Sequence, residues 1–597
     1  MTKPNVEQHQ KHADQVVSWL AELGYTHCFF VAGGNIMHLL DGVRRKMCCI
    51  PFVHEVSAAI AVEYFNESNG RERAFALVTA GPGVSNVITA MSGAWLESRE
   101  LLVIAGQVKS TDLATNGIRQ RGIQEIDGVG LTKAISKESI QVRTPIAKTK
   151  FFQSVLLGRQ GRPGPVFIEF CLDAQGAPPL PNGKDFLLKD QVSANDELKQ
   201  IVDAIGEKLR FARRPILLLG GGISRAVTNS VRSELQGLTV PIMTTWNAAD
   251  RVDSRNANYF GRPNTWGQRS ANLLLAQADV IIALGTRLGL QQTGFNWQEF
   301  GKNAFIVHVD IDPAELGKGH PNTHASYCVD ANPVLTGLLK EDLPDYEEWM
   351  SYSRKVRTLL PLNDSTNSTS VGFVSTQRFF EQISQIAMEQ DILIPCSSGG
   401  ANSVAMQMIS QKSGQIIVTN KGLASMGYGL AGAIGASLAH QGTRTMLFEG
   451  DGGFAQNLQE LATVAVNNLP IKVFIFANNG YGSIRMTQKN YFGGAYLGCD
   501  TETGLGFPDW TTLFKSFGIN SMVIDADWVD NEEVQQSLNN DQPCGFIVPT
   551  DPLQTYWPKI QSRVIAGGGM ESNPLYAMSP DLESSLLDQV SVYLNHA

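Results

Sequence analysis

Two polar residues at the ends of two apolar runs carry the strongest chemical signal in this 597-residue chain. The stretch 446–481, MLFEGDGGFAQNLQELATVAVNNLPIKVFIFANNGY, reads as a buried strand, a glycine turn bearing Asp451, an amphipathic helix and a second buried strand ending at Asn478 and Asn479. MLFEG and VFIFA are short apolar runs bounded by turn residues, and Leu458, Leu461, Ala462, Ala465 and Val466 recur between them at helical spacing. Parallel strands joined by one helix form a right-handed crossover that brings both strand ends to the same sheet edge. Asp451 and Asn478 are therefore expected to be neighbours. A carboxylate, an amide oxygen and a turn carbonyl are hard oxygen ligands that suit magnesium, which completes its octahedron with water and phosphate oxygens. Gly450, Gly452 and Gly453 allow a sharp turn, and amides at a following helix start can hold phosphate. Each turn taken singly also reads as an ordinary Asp-Gly or Asn-Asn-Gly turn. Their spacing and strand context point to a metal and phosphate site.

Gly450-Asp451-Gly452 followed at this distance by Asn478-Asn479 resembles the magnesium-diphosphate motif of thiamine diphosphate enzymes, and QNLQELATVAVNNLPIKVFIFANN is similar to acetolactate synthases. The resemblance extends, with gaps, over most of the chain. It implies that Asp451 and the Asn478 side chain hold Mg2+, with the Gly480 carbonyl as third protein ligand. On its own, Glu55 in HEVSAAIAVEYF is an acid in the first turn of a helix, complementing the helix dipole. The resemblance makes it the activating glutamate, which faces the pyrimidine nitrogen N1′ and drives the imino tautomer; the imine then removes the thiazolium C2 proton. A carboxyl group in a low-dielectric pocket has a raised pKa, which suits sharing a proton with a ring nitrogen.

Gly33-Gly34-Asn35, Thr79-Ala80-Gly81-Pro82-Gly83 and Gln124 resemble the family's active-site loops, so Gly34 and Gln124 join Glu55 as candidate catalytic positions. Met426, with Ala424 before it, resembles the apolar residue that wedges under thiamine diphosphate and bends it; on sequence alone Met426 also reads as core. Gly400 and Ala401 stand where the synthases have a glutamine-histidine pair, so diphosphate contacts differ there.

These residues need elements to hold them. From His12 to about Ala177, HADQVVSWLAELG, THCFFVAGG, the short strand IPFV, FALVTAGPG, ELLVIAGQV and GPVFIEF alternate helix and buried strand. RPILLLGGG, PIMTTW, VIIALGTR and AFIVHVDID repeat the pattern, as do DILIPCSS, QIIVTN, TMLFEG and VFIFANN. The fold class is α/β, with three doubly wound parallel-sheet, Rossmann-like domains, and by resemblance the thiamine diphosphate-binding fold. The expected domains are a pyrimidine-binding unit at 1–185, a central FAD/nucleotide-binding-like unit at 196–342, a diphosphate/Mg unit at 371–550 and a tail at 551–597. Stretches 176–195 and 343–370 read as linkers. LASMGYGLAGAIGASLA is a glycine- and alanine-rich helix of the kind that packs closely on a sheet. In the tail, IAGGGMESNPL reads as a flexible loop and LESSLLDQVSVYLNH as an amphipathic helix; in the family such a tail can cover the active site.

Gly220-Gly221-Gly222 matches neither a phosphate-loop lysine motif nor the six-residue dinucleotide fingerprint, and alone it reads as a strand-to-helix turn. By resemblance, Gly220, Gly221, Gly222, Gly285, Arg287, Asp310, Ile311 and Asp330 are FAD-binding positions of a flavoprotein whose flavin does no net redox chemistry. GRPNTWGQRSANLLL departs from the corresponding family segment. Three further departures concern the second substrate. Ile123 replaces an aromatic residue, Gln291 stands where an arginine grips the acceptor carboxylate, and Thr487 stands where a tryptophan narrows the pocket. A charge-assisted contact of about 1.5–3 kcal/mol is lost with that arginine. The three changes together point to an acceptor larger than pyruvate and lacking its carboxylate, such as a keto-sugar nucleotide. The implied activity is a carboligase (transferase or lyase) that decarboxylates a 2-oxo acid, pyruvate first among them, and transfers the two-carbon unit to a carbonyl acceptor. Acetolactate synthase itself, an FAD-linked pyruvate oxidase and a non-catalytic regulatory homologue are the alternatives; retention of Glu55 and the Asp451/Asn478 pair argues against the last.

Composition is consistent with this. A chain of this length exceeds one core and divides into about three domains. Hydrophobic content of 43% with 18% charged residues is that of a globular protein, and a net charge of −9 argues against a nucleic-acid surface. No apolar run reaches membrane length, and the polar start MTKPNVEQHQKHADQ lacks a signal-peptide core, so a cytoplasmic location is expected. Eight scattered cysteines without C-x-x-C pairing read as reduced thiols. Glu55 and Asp451 fall in different domains yet must reach opposite ends of one cofactor. In the resembling family that contact is made between two chains, which implies a homodimer or homotetramer.

Overall fold

The computed structural model describes residues 10–181 and 195–594. They build three parallel sheets. The first has six strands in the order Cys48–Pro51, Tyr25–Phe30, Arg73–Val78, Leu101–Gln107, Pro165–Cys171, Glu138–Val142. The second has five, ordered Ala325–Cys328, Phe305–Asp310, Val280–Leu284, Pro215–Leu219, Ile242–Thr244. The third, ordered Ile416–Ile417, Ile392–Pro395, Thr445–Gly450, Ile471–Ala477, Cys544–Pro549, Asn520–Val523, repeats the connectivity of the first. Central strands are buried on both faces, as parallel sheets with helices on each side require. The edge strands Glu138–Val142, Ala325–Cys328 and Asn520–Val523 are half-exposed and carry no continuous apolar run that would predict them. The expected IPFV strand is shifted two residues earlier, to Cys48–Pro51.

Strands Thr445–Gly450 and Ile471–Ala477 pair side by side, with Gly450 opposite Phe476. The single amphipathic helix expected between them is instead three short pieces, Asp451–Phe454, Leu458–Glu460 and Leu461–Val466. Gly452 and Gly453 weaken the first turn, and Asn457 leaves helical geometry at φ −136° and ψ 28°. Val466, expected on the buried stripe, ends the last piece and is 78% exposed.

The first and third domains share one core. Helix Glu55–Ser68 lies against helix Tyr428–Ala439, and Ala58, Ala61, Tyr64, Ala431 and Ile434 belong to one buried cluster. The glycine-rich helix thus packs on another helix as well as on strand Thr445–Gly450. Small residues set the closeness of approach: a Cβ on Gly435 would lie 2.0 Å from the Ala61 carbonyl, and one on Gly432 would lie 2.6 Å from the Tyr64 ring. Buried charges tie the same boundary. Arg99 bonds Glu63 at 2.8 Å and the Thr419 carbonyl at 2.8 Å, and Asn420 donates to Glu63 at 2.9 Å. Arg225 of the second domain reaches Asp250 at 2.7 Å and Glu67 at 3.0 Å. Burial works to raise the Glu67 pKa, but Arg99, Arg225 and Arg251 together hold it below the ordinary value.

Two linker expectations fare differently. Of the first, 182–194 lies outside the described residues. The second contains helix Glu347–Leu359, whose Trp349, Met350 and Val356 enter the second domain's core; its charged face hides an apolar stripe at helical spacing. The tail's glycine loop is bracketed by an antiparallel pair, Ser562–Val564 with Met570–Ser572, and helix Ser584–Val590 packs on Glu347–Leu359. All eight cysteines are free thiols. No helix among the described residues is long and apolar enough to cross a membrane.

Replacing Gly435 with valine should force apart the two helices joining the first and third domains. The expected cost is about 1–3 kcal/mol or more, read as a lowered midpoint of thermal unfolding; an unchanged midpoint would show that this contact does not hold the domains together.

Candidate active site

The Asp451 carboxylate is fixed from the ends of two strands at once. Its Oδ1 accepts the Gly452 N–H at 2.7 Å, and its Oδ2 accepts the Asn478 N–H at 2.9 Å and the Gly480 N–H at 3.3 Å. Burial pushes its pKa up to about 6 against the lowering effect of those N–H groups. Glu449, two residues earlier, is fully buried and its pKa is pushed up to about 8, so a neutral acid stands behind Asp451 at neutral pH. The Asn478 side-chain oxygen is buried and has no partner. A buried acceptor left open beside a dry carboxylate fits a cation. Among the described residues no group of three His, Cys, Asp or Glu side chains gathers elsewhere for a metal. Asp451, Asn478 and Gly480 are thus brought together, and Asn479 between them takes the left-handed conformation at φ 56°.

Gly452 is needed for a close approach, since a Cβ there would lie 2.3 Å from the Tyr481 ring. Gly400 and Ala401 open helix Gly399–Met408, and a Cβ on Gly400 would lie 3.0 Å from the Tyr556 ring. Burial pushes the Tyr556 pKa up to about 12, and the neighbouring Asn478 amide N–H, not its open oxygen, works against that rise. Arg485 is buried under the turn, 3.5 and 3.4 Å from the carbonyls of Asn478 and Asn479. Sequence reasoning missed both residues. Tyr556 gave no signal because it lies in the tail, far along the chain; the one signal for Arg485 was a charge on an otherwise uncharged turn of helix Gly482–Tyr491. Met426 is half-buried two residues after Ala424, which adopts φ 55°.

Glu55 opens its helix, nearly buried, and its Oε2 accepts the Asn86 amide at 2.9 Å. His54 caps the helix by accepting the Val56 N–H, and the Glu460 carboxylate accepts the His54 N–H at 3.0 Å. The predicted N-terminal loops converge. A Cβ on Gly33 would lie 2.4 Å from Thr79, and one on Gly81 would lie 2.6 Å from the Gln124 carbonyl. Thr79 keeps a buried hydroxyl without a partner, and Gln124 sits at φ 63°. Seven described non-glycine residues have positive φ, and Gln124, Ala424 and Asn479 are three of them. Such conformations cost about 1–3 kcal/mol each and gather at functional sites. Gly34 is exposed, at the start of the turn Gly34–Ile36, which buries Ile36. No hydrogen bond among the described residues joins Glu55 to Asp451 or Asn478.

In the second domain Gly220, Gly222 and Gly285 pack backbone to backbone, the Gly222 N–H meeting the Gly285 carbonyl at 2.9 Å. The charged groups beside them already have partners. Arg287 donates to the Leu96 carbonyl at 3.0 Å, Asp310 accepts the Asp312 N–H at 2.9 Å and Asp330 caps helix Ala331–Leu338. Gly221 faces Asn247, whose buried side-chain oxygen is open, and Ile311 is exposed. Of the three altered acceptor positions, Ile123 is 86% exposed. Thr487 is exposed and bonds back to Ser483 at 3.0 Å, and Gln291 is exposed with its carbonyl taking the Thr265 N–H at 2.9 Å. No hydrogen bond among the described residues joins these three to one another.

Three family models match the chain: the thiamine pyrophosphate enzyme N-terminal TPP binding domain at 10–131, the central domain at 202–338 and the C-terminal TPP binding domain at 397–547. The chain is similar to a probable acetolactate synthase large subunit of Methanococcus aeolicus, 28% identical over 88% of this chain and 89% of that one. It is equally similar to acetolactate synthase 1, chloroplastic, of Zea mays, 28% identical over 85% and 81%. The acetolactate synthase isozyme 2 large subunit of Escherichia coli is 28% identical over 92% and 97%. With one model on each of its three sheets and most of its length matched, this chain belongs to the thiamine pyrophosphate enzyme family, as an enzyme of the acetolactate synthase-like type.

Proposed function

We propose that this enzyme decarboxylates pyruvate and joins the remaining two-carbon unit to the carbonyl of a second 2-oxo acid, as the name acetolactate synthase describes for its relatives. One carbon–carbon bond breaks with release of CO2 and one forms, with no net redox change. The observation that carries the reading is the open, buried Asn478 oxygen beside Asp451. Asp451, Asn478 and the Gly480 carbonyl would hold Mg2+ and through it the cofactor diphosphate, in the domain bounded at 371–550. Thiamine diphosphate, when bound, supplies the electron sink that 2-oxo acid decarboxylation needs. Glu55, held by Asn86, is the group for sharing a proton with the cofactor ring, in the domain at 1–185. Gly34 and Gln124 belong to the loops beside it, and Met426 with Ala424 would give the cofactor ring an apolar support.

The exposed Ile123 and Gln124 support a homodimer or homotetramer with sites shared between copies. The glycine edge of the domain at 196–342 is the seat proposed for FAD, with no part in the reaction; flavin absorbance in the purified protein tests that seat. A keto-sugar acceptor is the second reading, favoured by the uncharged Gln291 and Thr487.

Asp451→Asn keeps the shape of the side chain and removes its charge. A charge-assisted contact of about 1.5–3 kcal/mol sets an expected loss of about 10–100-fold in Mg2+-dependent thiamine diphosphate affinity, measured by titration calorimetry. Glu55→Gln should slow CO2 release from pyruvate by about 10²–10⁴-fold while binding of the cofactor stays within a few-fold; full activity would remove Glu55 from the reaction. Labelled pyruvate offered alone should yield acetolactate by mass spectrometry. Ligation only to an added keto-sugar would replace this acceptor assignment with the second reading.

A further inference from the structure

Among the described residues two lysines are buried, and their surroundings differ. Lys472 is surrounded by oxygen, with the carbonyls of Ser537 and Asn540 at 2.8 Å and the Asn540 side-chain oxygen at 2.9 Å. Lys559 is only 5% exposed, yet its ammonium meets no oxygen among the described residues. Its Nζ lies 2.7 Å from the Met486 sulfur, 4.8 Å from the Trp266 ring centre and 5.0 Å from that of Trp557. Burial alone pushes its pKa down to about 8, so the group is still mainly charged at neutral pH. Two indole faces offset part of the desolvation cost of a cation, but a thioether is a weak acceptor. A buried charge lacking its hydrogen-bond partners is costly and calls for an anion from outside the chain.

The surroundings say which anion. Tyr556, three residues earlier, lies over Gly400 and meets Asn478. Met486 rides on helix Gly482–Tyr491, which leaves the Asn478–Gly480 turn directly. On the other side, the Ile560 N–H donates to Thr265 and the Thr265 N–H donates to Gln291, each at 2.9 Å. Lys559 therefore stands between the metal turn and the segment of the acceptor position Gln291. A substrate anion reaching it belongs to the reacting partner that keeps its charge. The donor's carboxylate leaves as CO2, and a clamp on it would favour the ground state over the transition state. The acceptor's carboxylate survives into product.

We propose that Lys559 binds the carboxylate of the acceptor 2-oxo acid, in a slot walled by Trp266 and Trp557 and opened by movement of Met486. This assignment rests on the carboligase reading above. Met486 is half-buried, unbranched and adaptable, and a carboxylate oxygen replaces its sulfur as a far stronger partner for the ammonium.

The test uses the holoenzyme with oxamate, an unreactive planar analogue of a 2-oxo acid, and reads intrinsic tryptophan fluorescence. The wild type should show a saturable change; Lys559→Met should need at least tenfold more oxamate, and Lys559→Arg should need less than Lys559→Met. In turnover, the ratio of kcat/KM for a 2-oxo acid acceptor to that for an uncharged aldehyde acceptor should fall at least tenfold in Lys559→Met. An absent fluorescence change in the wild type, or an unchanged ratio in the variant, would overturn the assignment while leaving the carboligase reading intact. Should Lys559→Met not fold, Lys559→Gln and the wild-type titration decide the matter in the same way. Conversely, Lys559-dependent oxamate binding in a wild type that releases no CO2 from pyruvate would sink the carboligase reading and leave a carboxylate site.

Discussion

A carboxylate that is kept dry and still held open is what the site depends on. Asp451 accepts three backbone N–H groups from the segments that follow two neighbouring strands, so its position is tied to the pairing of those strands. Burial raises its pKa to about 6, which means that the fold bears a desolvation cost to have the charge there. The neutral Glu449 behind it and the open Asn478 oxygen beside it make that cost intelligible, since a cation would relieve both the charge and the missing partner. The same turn needs Gly452 to admit Tyr481 and Asn479 to adopt a left-handed conformation. Local strain and polar burial here are features of one arrangement.

Positioning the second acid is a matter of packing. Helix Glu55–Ser68 is fixed at its start by His54, Glu460 and Asn86, and along its length by close approach to Tyr428–Ala439. Because Gly432 and Gly435 sit under Tyr64 and Ala61, a methyl group on either would move the helix that carries Glu55. The core therefore transmits the register of the third domain to the first. The Arg99, Glu63 and Glu67 cluster adds a directional constraint that apolar contact lacks, and Arg225 extends it to the second domain.

What was legible in the sequence follows from this division. Doubly buried strands announce themselves as apolar runs, so the three sheets, the Asp451–Asn478 adjacency and the Glu55 helix were all readable, although the second linker was not: its helix hides a stripe that includes Trp349 among charged residues. Half-exposed edge strands such as Glu138–Val142 lack the signal. The helix after Asp451 was misread because apolar spacing persists through 458–466 while Asn457 and the glycines break the backbone. Tyr556 and Arg485 were invisible for a different reason. Their roles arise from tertiary contact with Asn478, which no local pattern encodes.

The tail shows how misleading position-by-position substitution can be. Gln291 reads as a lost charge when compared with its own place in a motif. In space, the chain near it is bonded through Thr265 to Ile560, and a buried ammonium stands next in sequence to that bond. Tyr556 lies over Gly400 and Lys559 meets Met486, while Leu575 and Val590 enter the second domain's core and Gln277 donates to the Val590 carbonyl at 2.9 Å. One segment thus links the domain that carries Asp451 to the domain that carries Gln291. A charge absent from one position can be supplied from such a segment, because electrostatics depends on distance through the folded molecule and not on order along the chain.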